Sequence, residues 1–166
     1  NGVDIYKIDY EKIKSPPGRM EYIENNRNLK VFIDYAHTPD GLQNALLSLK
    51  WHFPDLMVTV VFGCGGDRDP KKRPIMGEIA FKLSDKIIIC DDNPRSEDPS
   101  KIRQDISLKC NGKAIEIGDR KKAIEYAILN STQDDVILIA GRGHENIQKF
   151  ANYELQINDA KIVKEI

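Results

Sequence analysis

Four short stretches of this chain combine charged side chains with turn-forming residues: Asp34-Tyr35-Ala36-His37-Thr38-Pro39-Asp40, Gly63-Cys64-Gly65-Gly66-Asp67-Arg68-Asp69, Asp91-Asp92-Asn93-Pro94-Arg95 and Gly141-Arg142-Gly143-His144-Glu145. Arg68 and Arg95 each offer a planar fork that matches a carboxylate or phosphate. Asn93 supplies an amide that donates to a carboxylate and accepts from an ammonium, and Pro94 stiffens the loop between it and Arg95. Glu145 is a candidate partner for an ammonium. Arg68, Asn93, Arg95 and Glu145 therefore form a set of opposite charges suited to a zwitterion. Local alternatives compete with this at each position. Arg68 can pair with Asp67 or Asp69, Arg95 can pair with Asp91, Asp92 or Glu97, and Glu145 can be an exposed first-turn residue of a short helix.

The run Gly63-Cys64-Gly65-Gly66 can bring backbone N–H groups close to an anion, or it can simply make a tight strand-to-helix turn. It is not a Walker A loop, because no Gly-Lys-Ser/Thr follows, and Arg68 stands where a dinucleotide fingerprint has its third glycine. His37 directly follows an apolar run and can reach a nucleotide or a transferring group, whereas His52, beside Trp51 and Phe53, reads as a helix-end residue. Cys64, Cys90 and Cys110 form no CxxC pair and suit small core thiols, so no metal site is expected in this chain. No GxSxG nucleophile elbow is present.

The elements that position these stretches are short β-branched runs alternating with amphipathic ones. Strands are expected at Lys30 to Asp34, Met57 to Phe62, Lys86 to Cys90, Ala114 to Ile117 and Asp135 to Ala140. Helices are expected at Thr38 to His52, Lys71 to Leu83, Pro99 to Cys110, Asp119 to Asn130 and Asp159 to Ile166. That alternation predicts an α/β fold, a Rossmann-like, mostly parallel sheet of about five to six strands with helices on both faces. In such sheets ligands bind outside the carboxyl ends of the strands, where the four stretches fall. Residues 1 to 28, with the turn cluster Ser15-Pro16-Pro17-Gly18, read as a lead-in, and the compact core is expected from Leu29.

With 25 basic and 26 acidic side chains in 166 residues, the chain has no electrostatic bias toward nucleic acid or an anionic membrane. Its apolar runs fall well short of the roughly 18 residues of a membrane span. Three unpaired cysteines point to a reducing, cytoplasmic compartment. The first residues lack both a signal peptide and an initiator Met, as expected of a trimmed chain or a piece of a longer one.

Taken in order, Gly18-Arg19-Met20-Glu21, Asp34 to Pro39, Gly63 to Asp69 with Lys72-Arg73-Pro74, Asp92-Asn93-Pro94-Arg95 and Gly141 to Glu145 resemble the C-terminal domain of the Mur ligases, in particular the branch that adds the third residue of the UDP-N-acetylmuramoyl peptide. The resemblance runs from about Gly18 to the end of the chain. It implies that residues 18–166 are the amino-acid-binding domain and that residues 1–17 are the tail of a preceding central domain, which carries the Walker A loop and Mg2+. It also implies an ATP-dependent ligase of peptidoglycan synthesis, in which an amine attacks the acyl phosphate of UDP-N-acetylmuramoyl-L-alanyl-D-glutamate.

By the same resemblance, Arg68, Asp92, Asn93, Pro94, Arg95, Gly141 and Glu145 bind the incoming amino acid, while Arg19, Asp34 and His37 face the nucleotide. Arg142 departs from a lysine common in the family and keeps its charge. The DNPR stretch accompanies meso-diaminopimelate as substrate. Lysine has no second carboxylate, and would leave the guanidinium groups unpaired at a cost of ~2–5 kcal/mol. A lysine-adding or folylpolyglutamate-type ligase, or a non-catalytic amino-acid-binding module, are the alternatives.

Overall fold

The computed structural model describes residues 16–166. Of the expected tail over residues 1–17, all but Pro16 and Pro17 lies outside the described residues. Among those described, the elements run in chain order β1 (Glu21–Tyr22), β2 (Lys30–Asp34), α1 (Pro39–His52), β3 (Met57–Phe62), α2 (Lys72–Leu83), β4 (Lys86–Ile89), α3 (Pro99–Ser107), β5 (Ala114–Glu116), α4 (Arg120–Leu129), β6 (Asp135–Ala140), β7 (Ile147–Lys149), β8 (Glu154–Gln156) and α5 (Asp159–Glu165). Six strands form one sheet in the order β1-β2-β6-β3-β4-β5, and β7 and β8 form a separate antiparallel hairpin. Every pairing in the large sheet is parallel except β1 with β2.

The strands are apolar almost throughout because both of their faces are covered. Along β3, Val58, Val60 and Phe62 pack with Leu42 and Leu46 of α1, Met76 of α2 and Ile102 of α3. The intervening Val61 joins Ile137 and Ile139 of β6 against Ala123 and Ile124 of α4 and Ile162 of α5. The chain steps outward from β2 through β5 with its helices on one face, then returns to β6 through α4 on the other, as right-handed crossovers require. Helix starts follow the capping residues: Thr38 Oγ1 accepts the Gly41 N–H at 3.2 Å, and Asp98, Asp119 and Asn158 cap α3, α4 and α5 with their side chains. The fold is thus the expected α/β sheet of six strands with helices on both faces.

One expectation needs correction. Residues 21–23 belong to the body of the fold: β1 extends the sheet antiparallel to β2, and Ile23 is buried among Leu29, Val31 and Ile128. The polar Glu24 to Asn28 segment that hides this is a turn in which Asn25 bonds the backbone of Ile23, Arg27 and Leu29. The hairpin β7–β8 was not foreseen, because three-residue strands between polar residues carry too little periodicity to register.

At the carboxyl end of β6, the Arg120 guanidinium is fully buried. It donates through Nη2 to Asp159 Oδ2 at 2.7 Å and to the Ala140 carbonyl at 3.1 Å, and through Nε to Asp159 Oδ1 at 3.0 Å. Burial penalises its charge, but Asp159 outweighs that penalty and holds it protonated. The pair ties α4 to α5 and to the strand end that feeds the Gly141 loop. Breaking a buried pair strands a charge, so Asp159→Ala should cost about 3–5 kcal/mol in chemical denaturation. A loss below about 1 kcal/mol, the range of an exposed pair, would show that solvent reaches the site.

Candidate functional site

The loops that follow β3 and β4 are in direct backbone contact. The Gly66 N–H donates to the Asn93 carbonyl at 2.9 Å, and Arg95 Nη1 donates back to the Gly66 carbonyl at 2.7 Å and to the Asn93 carbonyl at 3.4 Å. A Cβ on Gly63 would collide with the Cys90 carbonyl oxygen, and one on Gly66 with that of Pro94. Close packing of two loops therefore accounts for these glycines, and the Gly66 N–H is spent on Asn93 rather than presented to an anion. Glu97 completes the lacing: it accepts the Asp67 N–H at 2.6 Å and pairs with the buried Arg73 at 2.8 Å. Arg95 sits at φ +53°, a left-handed conformation costly for a side-chain-bearing residue, held by its N–H donating to the Lys149 carbonyl at 3.0 Å.

Above this contact is an open groove of about 540 Å³ lined by Arg68, Asn93, Arg95, His144, Glu145 and Lys149, among others. The local pairings that competed for the charged groups are absent among the described residues. Arg68 Nη1 donates to the backbone carbonyl of Asp67, not to a carboxylate. The acids near Arg95 are engaged elsewhere, Asp91 with Arg103 and Glu97 with Arg73. Glu145 lies in a tight turn, its N–H donating to the Arg142 carbonyl at 3.0 Å, and the chain continues into β7 rather than a helix.

Asn93 Oδ1 accepts the Lys149 N–H at 2.8 Å and Arg142 Nη1 at 3.1 Å, which fixes the amide so that Nδ2 donates to Glu145 Oε2 at 3.0 Å. The groove thus offers two guanidinium forks near a carboxylate whose orientation is set. An amino acid with charged groups at both ends is the ligand such an array complements.

Asp92, Pro94 and Gly141 are buried and do not line the groove. Gly141, at φ +113°, leaves room for the Asp92 carboxylate, since a Cβ there would stand 2.7 Å from Oδ2. That oxygen has no hydrogen-bond partner, nor do Nε and Nη2 of the fully buried Arg142. Burial pushes the Asp92 carboxyl up, against the pull of Arg120 and Arg142. From below, Gln148 Nε2 donates to the carbonyls of Asp91 and Asp92 at 3.1 and 2.6 Å. Sequence reasoning passed over Gln148 and Lys149, whose role depends on the unforeseen hairpin. Tyr35, inside the Asp34 to Asp40 stretch, has no expected role.

Arg19 and His37 meet on Tyr35. The Arg19 guanidinium lies 4.8 Å from the centre of the Tyr35 ring, and the His37 ring stands edge-on to it at 4.6 Å. His37 Nδ1 is 2.8 Å from the Tyr35 carbonyl, an acceptor, so this nitrogen carries the proton. Asp34 Oδ2 accepts the Met20 N–H at 2.7 Å and so holds the Arg19 segment beside the ring. All three cysteines are buried and free, and burial pushes the Cys64 and Cys90 thiols up to about 12, which leaves them unreactive core groups.

Residues 18–143 match the family model of the Mur ligase, glutamate ligase domain. The UDP-N-acetylmuramoyl-L-alanyl-D-glutamate--2,6-diaminopimelate ligase of Anaplasma marginale is 48% identical over 159 residues, 95% of this chain and 32% of that protein. The enzyme of the same name from Rickettsia conorii is 49% identical over 156 residues, 92% of this chain and 32% of that protein. The chain therefore spans about a third of the length of the curated relatives it matches. A solved structure of a ligase of that name superposes with a TM-score of 0.81 at 39% identity, covering 92% of this chain and 31% of that one. A folylpolyglutamate synthase from Thermotoga maritima shares the fold, with a TM-score of 0.59 at 22% identity over 76% of this chain and 28% of that one.

The upward shift at Asp92 carries a sign. A carboxyl whose folded pKa lies above its unfolded value binds more protons when folded, so its contribution to stability falls as pH rises from about 4 through the folded pKa. Asp92→Asn removes that titration. In urea melts from pH 3.5 to 8, the stability of the variant relative to the parent should rise with pH. A relative stability that falls with pH would mean that Asp92 is held ionised by its arginine neighbours.

Proposed function

The chain belongs to the Mur ligase family, matching its glutamate ligase domain, and on that premise we propose that it is the amino-acid-binding domain of a MurE-type ligase. The whole enzyme would join meso-diaminopimelate to UDP-N-acetylmuramoyl-L-alanyl-D-glutamate with ATP, in the cytoplasm, as a step in building the bacterial cell wall. The observation that carries this reading is the convergence of Arg68, Asn93, Arg95 and Glu145 on one groove. No ion pair within the described residues satisfies either guanidinium.

In this proposal the two arginines hold the carboxylate at the far end of diaminopimelate, and Glu145, oriented by Asn93, holds an ammonium. The domain's contribution is placement and charge neutralisation, which bring the attacking amine to the acyl phosphate in a fixed direction. Arg19, Asp34 and His37 would face the nucleotide when this domain closes on the preceding ones. Arg19 and His37 already share the Tyr35 ring, while the contact of Asp34 with the Met20 N–H supports that surface from behind. Mg2+ would be held outside this chain.

Assays of the complete enzyme test this. Arg95→Ala should raise KM for diaminopimelate by about 30-fold or more while KM for ATP stays within about threefold, as expected when one partner of a charge pair desolvated by the bound ligand is removed. Unchanged amino-acid kinetics would contradict the assignment. The unmodified enzyme should prefer diaminopimelate to lysine, and equal turnover of the two would make it a ligase of different specificity.

A further inference from the structure

Glu145 is held at both oxygens. Oε2 accepts Asn93 Nδ2 at 3.0 Å, and Oε1 accepts the Tyr35 hydroxyl at 3.3 Å. A carboxylate has about four acceptor positions, so these two donors, with Arg142 Nη1 4.0 Å from Oε2, fix its plane and leave lone pairs for an ammonium. Asn93 comes from the loop after β4 and Tyr35 from the loop after β2, so the carboxylate is clamped between two separate strand ends. With one clamp removed, the terminal torsion of Glu145, a broad and soft rotation, would be restrained at one end only.

The Tyr35 ring is itself fixed. Gly143 packs against its Cβ, where a side chain on that glycine would come within 3.0 Å, and Arg19 and His37 hold the ring from outside. Partial burial, followed by the nearby Glu145 charge, raises the Tyr35 hydroxyl above its ordinary value, so it remains a donor at neutral pH.

We infer that Tyr35 is a positioning residue for the amine-binding carboxylate, acting through its hydroxyl on Glu145, and that it thereby sets the affinity for the incoming amino acid without contacting the reacting atoms. This rests on the reading of the groove given above. It assigns the tyrosine hydroxyl to the amino-acid side of the reaction, although the ring lies among residues expected to face the nucleotide.

Tyr35→Phe removes the hydroxyl and keeps the ring. In the complete enzyme it should raise KM for the amino-acid substrate by about five- to twenty-fold, the lower range for a hydrogen bond to a charged group. KM for ATP should stay within about twofold of the parent, because the ring beside Arg19 and His37 is retained. In a Glu145→Ala background the same substitution should change KM for the amino acid less than about twofold, since its target is gone.

An equal effect in both backgrounds, a parallel rise in KM for ATP, or no effect at all would each overturn the inference. The unmodified enzyme separates this from the function proposed above. If it turns over lysine instead of diaminopimelate, the substrate assignment falls and the cycle is read with lysine. If it turns over neither, both fall.

Discussion

The site depends on two loops that touch backbone to backbone. Where the chain leaves β3 and β4, Gly63 and Gly66 let the peptide groups of Cys90 and Pro94 approach closer than any side chain would allow. The reciprocal bonds between Gly66, Asn93 and Arg95 then lock the two loops in register. Arg68 and Arg95 hang from opposite sides of that seam. The seam fixes the backbone positions from which the two side chains reach the groove. Two ion pairs anchor the loop after β4 from behind, the buried Arg73 on its Glu97 and the half-buried Arg103 on its Asp91.

A second layer of polar groups lies below the groove, and it is not fully satisfied. Asp92 Oδ2 and two nitrogens of Arg142 lack hydrogen-bond partners although they are buried. Leaving such groups unpaired costs stability, and that cost falls beneath the carboxylate and amide that would meet a substrate. Arg120 with Asp159, fully bonded, sits next to them and supplies the rigid end of the same network.

The sheet and its helices were legible in the sequence because their signals are long and periodic: the β-branched runs from Lys30, Met57 and Asp135, and the amphipathic stretches from Thr38, Pro99 and Asp119. The edge strand at Glu21–Tyr22 was not, since two residues carry no period and the buried Ile23 stands alone among polar neighbours. The charged residues of the groove could be named from residue type and from their place at strand ends. How they are held could not, because Gln148 acts on backbone carbonyls, Lys149 through its own backbone N–H and Tyr35 through a single hydroxyl, each across more than fifty residues of chain. The glycine run was ambiguous for the same reason. A glycine that avoids a carbonyl and a glycine that exposes an N–H look alike until the opposing loop is in place.

On the function proposed above, these loops present, without a substrate, the charge pattern of a molecule with an amino-acid group at each end. A crystal of the protein soaked with meso-diaminopimelate tests this most directly. Density is expected in the groove with one carboxylate within hydrogen-bond distance of the Arg95 and Arg68 guanidinium groups and an ammonium on Glu145. Ordered ligand bound elsewhere on the sheet's edge, or in the groove with its carboxylates turned away from both arginines, would contradict it.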